Sequence, residues 1–99
     1  MKGYVTNIER DTISNEDFRR VLFTGSNIQL VLMTLQPGED IGLEVHRDHD
    51  QFIRVENGNG IVLLNGKEHE LSDGSAVVIP AFVEHNVVNT SPVQARYCA

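Results

Sequence analysis

Glu44 and His46 stand one residue apart, Gln51 follows shortly after them, and His85 lies far downstream in the chain. In an extended segment the side-chain period is two, so Glu44 and His46 point to one face while Leu43 and Val45 point to the other. Residues 47–50 suffice to reverse the chain. Gln51, Ile53 and Val55 then share a face of the partner strand, where Gln51 would lie across from the pair. His85 opens another strand just after the loop that starts at Pro80, with Val87 on its face. Two imidazoles and one carboxylate brought together in this way form the facial set that suits non-haem Fe(II), with open positions for substrate or dioxygen; Gln51 can add a fourth, neutral oxygen. The competing reading is a solvated strand surface, or a Glu44–His46 pair bonded only to itself. Four polar side chains facing one interior argue for the metal, because each would be costly to bury without a partner.

Other candidates read more plainly. His49 is an odd offset from His46, which on a strand puts it on the other face, in the turn, and excludes it as a ligand. His69 lies among the charges of 67–71 and reads as solvated, Arg54 as outward-facing, and Glu39-Asp40 as a loop without metal-loop spacing. No inward Asp, Glu or Lys offers itself as a general acid or base; Tyr97 would have to reach in from the last strand. Cys98, the one cysteine, has no partner for a disulfide and reads as a free thiol at a frayed end.

The elements that must position these residues are short apolar runs separated by turn signals, the pattern of an all-β antiparallel sandwich or barrel. Strands are expected over 20–24, 28–35, 42–46, 51–56, 61–64, 67–71, 76–79 and 85–89, with a last one over 94–98. Asn65-Gly66 is the strongest turn, since a two-residue type I′ hairpin needs positive φ at both central positions. Pro37-Gly38 suits a type II turn. Before the first strand, 14–18 promises at most one helical turn capped by Ser14 or Asn15.

A chain of 99 residues leaves room for one domain, 1–99, with one core. Eight basic against fourteen acidic side chains give a formal charge of −6, a field that repels phosphate backbones and anionic headgroups. Neither nucleic acid nor membrane is an expected partner. No apolar h-region opens the sequence and no run spans a bilayer, which reads as a cytoplasmic protein. A small core and uncovered strand edges point to a homodimer.

The residues from Gly38 through Glu44, His46 and Gln51 to Gly58 resemble the first motif of the cupins, usually Gly, five residues, His-x-His, three or four residues, Glu, six residues, Gly. Gly74, Pro80, His85 and Asn89 resemble the second. The resemblance implies a double-stranded β-helix, the cupin jelly-roll barrel. It also implies one divalent metal ion (Fe, Mn, Ni or Zn) on Glu44, His46, Gln51 and His85, and a small oxygen-bearing ligand or substrate. Cupins include dioxygenases, isomerases and decarboxylases as well as non-catalytic binding modules, and a structural β protein with an empty barrel is a third reading. Glu44 stands where the family has histidine and Gln51 where it has the carboxylate, so the single negative ligand moves to another corner. Phe82 replaces a usual glycine, which promises a bulkier, drier loop over the metal. The motif is followed by fewer residues than is common, which leaves barrel closure to be supplied another way.

Overall fold

A computed structural model describes residues 3–98. The elements are a helix α1 (Ile8–Ser14) and strands β1 (Arg19–Thr24), β2 (Gln29–Leu35), β3 (Gln51–Asn57), β4 (Gly60–Leu64), β5 (Lys67–Leu71), β6 (Ala76–Ile79), β7 (His85–Val88) and β8 (Ala95–Cys98). They form two antiparallel sheets, one in the order β1-β2-β8-β3-β6 and one in the order β5-β4-β7. The all-β jelly roll expected from the sequence is the fold found. No helix among the described residues is long and apolar enough to cross a membrane.

Alternation along the strands builds the core. Ile53 and Val55 of β3, Ala95 and Tyr97 of β8 and Ile79 of β6 face Val62 of β4, Val87 of β7 and Leu71 of β5, all buried. β3 and β8 thus contribute alternate side chains to the core, and hydrophobic burial is what holds the two sheets face to face. The turn signals behave as their chemistry demands. Asn65 and Gly66 take φ of 50° and 82°, and Gly38 takes 82°.

Four expectations change. The chain over 42–46 is not a strand; the stretch from 40 to 44 runs beside β7, with isolated bridges of Asp40 with Val88 and Glu44 with His85. Barrel closure is not left open, because β8 lies in the middle of the first sheet, hydrogen-bonded to β2 on one side and β3 on the other. That also buries Cys98 inside a sheet rather than at a frayed end, and burial together with the nearby Glu56 carboxylate pushes its thiol up from the usual range. Finally, the helix precedes the expected turn. Its N-cap is Asn7, which accepts a hydrogen bond from the Arg10 amide at 3.0 Å, and Asn15 closes its C-terminus. At seven residues α1 is too short to hold by propensity. It is docked on the sheet by Asn15, which donates to the Thr34 hydroxyl at 3.0 Å and whose carbonyl accepts from that hydroxyl at 2.7 Å.

Candidate metal centre

The site forms where β7 begins. Glu44 and His85 exchange backbone bonds, each amide donating to the other's carbonyl at 2.8 Å, so the two residues stand directly opposite each other in an antiparallel bridge. The start of β7 is fixed from the other side by the β4–β5 turn: the Asn65 amide donates to the Glu84 carbonyl at 2.7 Å, and the Glu84 amide to Asn65 Oδ1 at 3.0 Å. The loop after Pro80 is tied down by the Phe82 amide on the His46 carbonyl at 2.6 Å and the Ala81 amide on Asp50 Oδ1 at 2.9 Å.

Within that frame Glu44, His46 and His85 each present a ligand atom, and these atoms all lie within 4.8 Å of one another. Glu44 Oε2 and His46 Nε2 are 3.2 Å apart, and the rings of His46 and His85 are 5.3 Å apart, tilted at 43°. Three sequence candidates are therefore brought together. Gln51 stands elsewhere in the fold than expected. The segment carrying Glu44 pairs with β7 in the second sheet, whereas Gln51 starts β3 in the first, opposite Ile79. It starts a strand of the other sheet and is not the far arm of a hairpin with the pair; Ile53 and Val55, which follow at alternate positions, are core residues.

The donor set fits a metal on an observation independent of spacing. Gln51 Oε1 and His85 Nε2 are buried and have no hydrogen-bond partner among the described residues. Such orphans cost about 1–3 kcal/mol each unless something occupies them. The state of His85 follows from its other nitrogen, which lies 3.1 Å from the Val83 carbonyl. A carbonyl only accepts, so Nδ1 holds the proton and Nε2 carries a free lone pair, the form that coordinates a cation. Glu44 and His46 are more exposed than His85, which is fully buried, so the cluster opens outward on their side.

A small void lies between Val87 and Ile53, two residues on from His85 and Gln51. The void lined by Met33, Ile41, Ile53, Val87 and Tyr97 holds about 10 Å³, room for one water at most. Any larger ligand must approach from the rim. Phe82 stands on that rim with φ of 70° and is 67% exposed, so its ring does not dry the site as its bulk suggested. His49 is in the turn but not apart from the cluster: its ring stacks on His46 at 4.6 Å, and Asp48 Oδ1 holds its Nδ1 at 2.8 Å. That bond holds the Asp48 carboxyl below its usual range. Tyr97 is removed as an acid or base. Its hydroxyl lies beside Gly60, at the opposite end of β4 from Leu64, the partner of His85, and burial pushes its pKa up to about 12. His69 is exposed, and Arg54 is half-exposed and ion-paired with Glu56.

Residues 31–99 match the cupin-domain family model. The chain is a cupin. This cupin is 47% identical over 95 residues to the uncharacterized protein YrkC of Bacillus subtilis (strain 168), an alignment covering 90% of the chain and 51% of YrkC. To the uncharacterized protein L612 of Acanthamoeba polyphaga mimivirus it is 46% identical over 92 residues, covering 89% of the chain and 57% of L612. The chain thus spans little more than half the length of these relatives. Among solved structures it superposes on BH2720 from Bacillus halodurans with a TM-score of 0.94 at 43% identity, covering 98% of this chain and 79% of that one.

Two contributions to the site were not foreseen: the Val83 carbonyl that sets the His85 tautomer, and the His49 ring on His46. The first is a backbone atom and leaves no mark on residue type. The second was hidden because the strand-parity argument that set His49 aside does not apply where the chain is not a strand.

Proposed function

We propose that this cupin holds one divalent ion on Glu44, His46 and His85, with Gln51 as a fourth, neutral oxygen donor, and acts on a small oxygen-bearing molecule bound at the rim. What carries the reading is the buried, unpartnered His85 Nε2 beside an imidazole and a carboxylate; Gln51 Oε1, also buried without a partner, supports the fourth donor. Two imidazoles with a single carboxylate suit Fe, Mn, Ni or Zn. When bound, such an ion supplies Lewis-acid polarisation of a coordinated oxygen or a place for dioxygen. The chain's own residues do the rest. Glu44 brings the one negative charge, the Val83 carbonyl keeps the proton of His85 away from the site, and His49, braced by Asp48, packs the outer side of His46. The small void lined by Met33, Ile41, Ile53, Val87 and Tyr97 offers a substrate no room, which favours a ligand seated at the rim.

Elemental analysis of protein purified without a histidine tag should find one first-row metal per chain, lost in His46→Ala and His85→Ala. Metal content unchanged in both variants, with an unchanged melting temperature, would sink the metal site. For the loaded protein, metal-dependent oxygen uptake or turnover with a panel of diols and sugars supports an enzyme of dioxygenase- or isomerase-like type. The second reading, a non-catalytic binding module, is favoured by the absence of an inward acid or base once Tyr97 is seen to point elsewhere. Tight binding from that panel without turnover would establish it.

A further inference from the structure

Among the described residues two that are not glycine have positive φ, Asn65 and Phe82. Asn65 is explained by its two-residue hairpin, where that geometry is required and asparagine tolerates it. Phe82 has no such account. The Val83 amide donates to the Pro80 carbonyl at 3.2 Å, which makes residues 80–83 a turn with Phe82 in its third place, the one where a type II turn asks for glycine. A phenylalanine there strains the backbone, and its ring, 67% exposed, offsets none of that strain through burial. A strained residue whose side chain does nothing for the fold points to a use outside the chain.

Its position says what that use is. The Phe82 amide donates to the carbonyl of His46, and the carbonyl of the next residue, Val83, holds Nδ1 of His85 at 3.1 Å. Phe82 thus adjoins both imidazole donors, whose rings are 5.3 Å apart, while the side chain of Val83 packs on the core. Other apolar side chains accompany the donors into the open. Leu43 and Val45, on either side of Glu44 in the chain, are 64% and 41% exposed.

We propose that Phe82 determines the specificity of this site, and that the molecule bound there carries a flat apolar group, such as an aromatic ring, next to the oxygen it turns toward the donors. The proposal rests on the metal reading above. With its oxygen toward Glu44, His46 and His85, the rest of such a molecule stays outside, because the void lined by Met33, Ile41, Ile53, Val87 and Tyr97 has no room for it. An apolar group directed outward then loses water against the Phe82 ring, and two flat rings stack on each other. A compact polyol is served less well, since its hydroxyls would give up water to a ring face that offers them no hydrogen bond.

Acetohydroxamic and benzohydroxamic acid test this, since both offer a metal the same pair of oxygens and they differ in a methyl against a phenyl group. With protein carrying the metal it is purified with, calorimetric titration should find the phenyl compound bound about tenfold more tightly, the effect of removing one ring face from water. Phe82→Asn removes the ring but keeps a residue that tolerates positive φ, and Phe82→Gly removes the strain as well. In both variants the preference should shrink to about twofold or less, with metal content and affinity for acetohydroxamic acid as in the wild type. Phe82→Tyr, which keeps a ring, should retain it. Equal affinities for the two acids or binding of neither in the metal-loaded wild type, or a preference that survives Phe82→Asn, overturns the proposal and leaves the metal reading in place. A wild-type protein that takes up no metal overturns both.

Discussion

His85 opens β7 and Asn89 directly follows its last residue, four residues on, both fully buried and both polar. At the Asn89 end the chain supplies every partner. The Asn89 side-chain amide donates to the carbonyls of Leu35 at 3.0 Å and Val93 at 2.9 Å, and its oxygen accepts from the Ser91 amide at 3.0 Å and hydroxyl at 2.8 Å. At the His85 end only Nδ1 is satisfied, while Nε2, grouped with Glu44 and His46, has no hydrogen-bond partner among the described residues. The difference separates two uses of buried polarity. A closed network fixes the end of β2 and the turn before β8, and so serves folding; an open one leaves an acceptor that could take a ligand.

The comparison is sharpest when both ends are broken in turn. Asn89→Ala should cost about 3 kcal/mol or more, since several buried groups lose their partner together, and should leave metal affinity alone. His85→Ala should do the opposite: metal affinity falls by at least about a hundredfold, while the metal-free protein loses less stability than Asn89→Ala does, because an orphan leaves with the ring and offsets part of the lost Val83 bond and packing. Denaturation of metal-free samples and metal titrations check both; equal destabilisation by the two substitutions would erase the distinction.

If the open end is a metal site, the ion must stabilise the fold. At about a hundred times its dissociation constant, a bound metal should add about 2.7 kcal/mol, read as a rise in melting temperature that a chelator reverses. The His85→Ala variant should show no such rise.

Tyr97 is the exception at the closed end, a buried hydroxyl without a partner whose pKa is raised from 10.0 to about 12 by loss of solvent. Below pH 10 folded and unfolded chains both keep its proton and nothing changes. As pH climbs from 10 toward 12 the unfolded chain ionises first, so stability falls by about 1.4 kcal/mol per unit. In Tyr97→Phe that part of the alkaline loss should vanish, which denaturant titrations across this range would measure.

The smallest effect belongs to Phe82. Left-handed backbone at a non-glycine residue costs about 1–2 kcal/mol. Phe82→Gly relieves this strain but frees the unfolded chain by about 0.5–1 kcal/mol, so thermal melts should move by less than about 1 kcal/mol. A change in ligand affinity without a change in stability would place the ring at the substrate's edge.

Several parts of this molecule were legible from residue types because they depend on local chemistry. Asn65-Gly66 dictates its hairpin, the alternation of Ile53, Val55, Val62 and Val87 dictates which face is buried, and the spacing of Glu44, His46 and His85 within the two motifs marks the donors. Only the tertiary structure decided where those parts go. Sheet order joins residues distant in sequence, so nothing local reveals that the segment carrying Glu44 lies against β7 rather than β3, or that β8 closes the barrel from its centre and buries Cys98. Likewise, the seven residues of α1 take shape because Asn15 meets Thr34 on the sheet. The same holds for the state of the site: residue type gives His85 two nitrogens, and the Val83 carbonyl, placed by the fold, determines which one is free to bind.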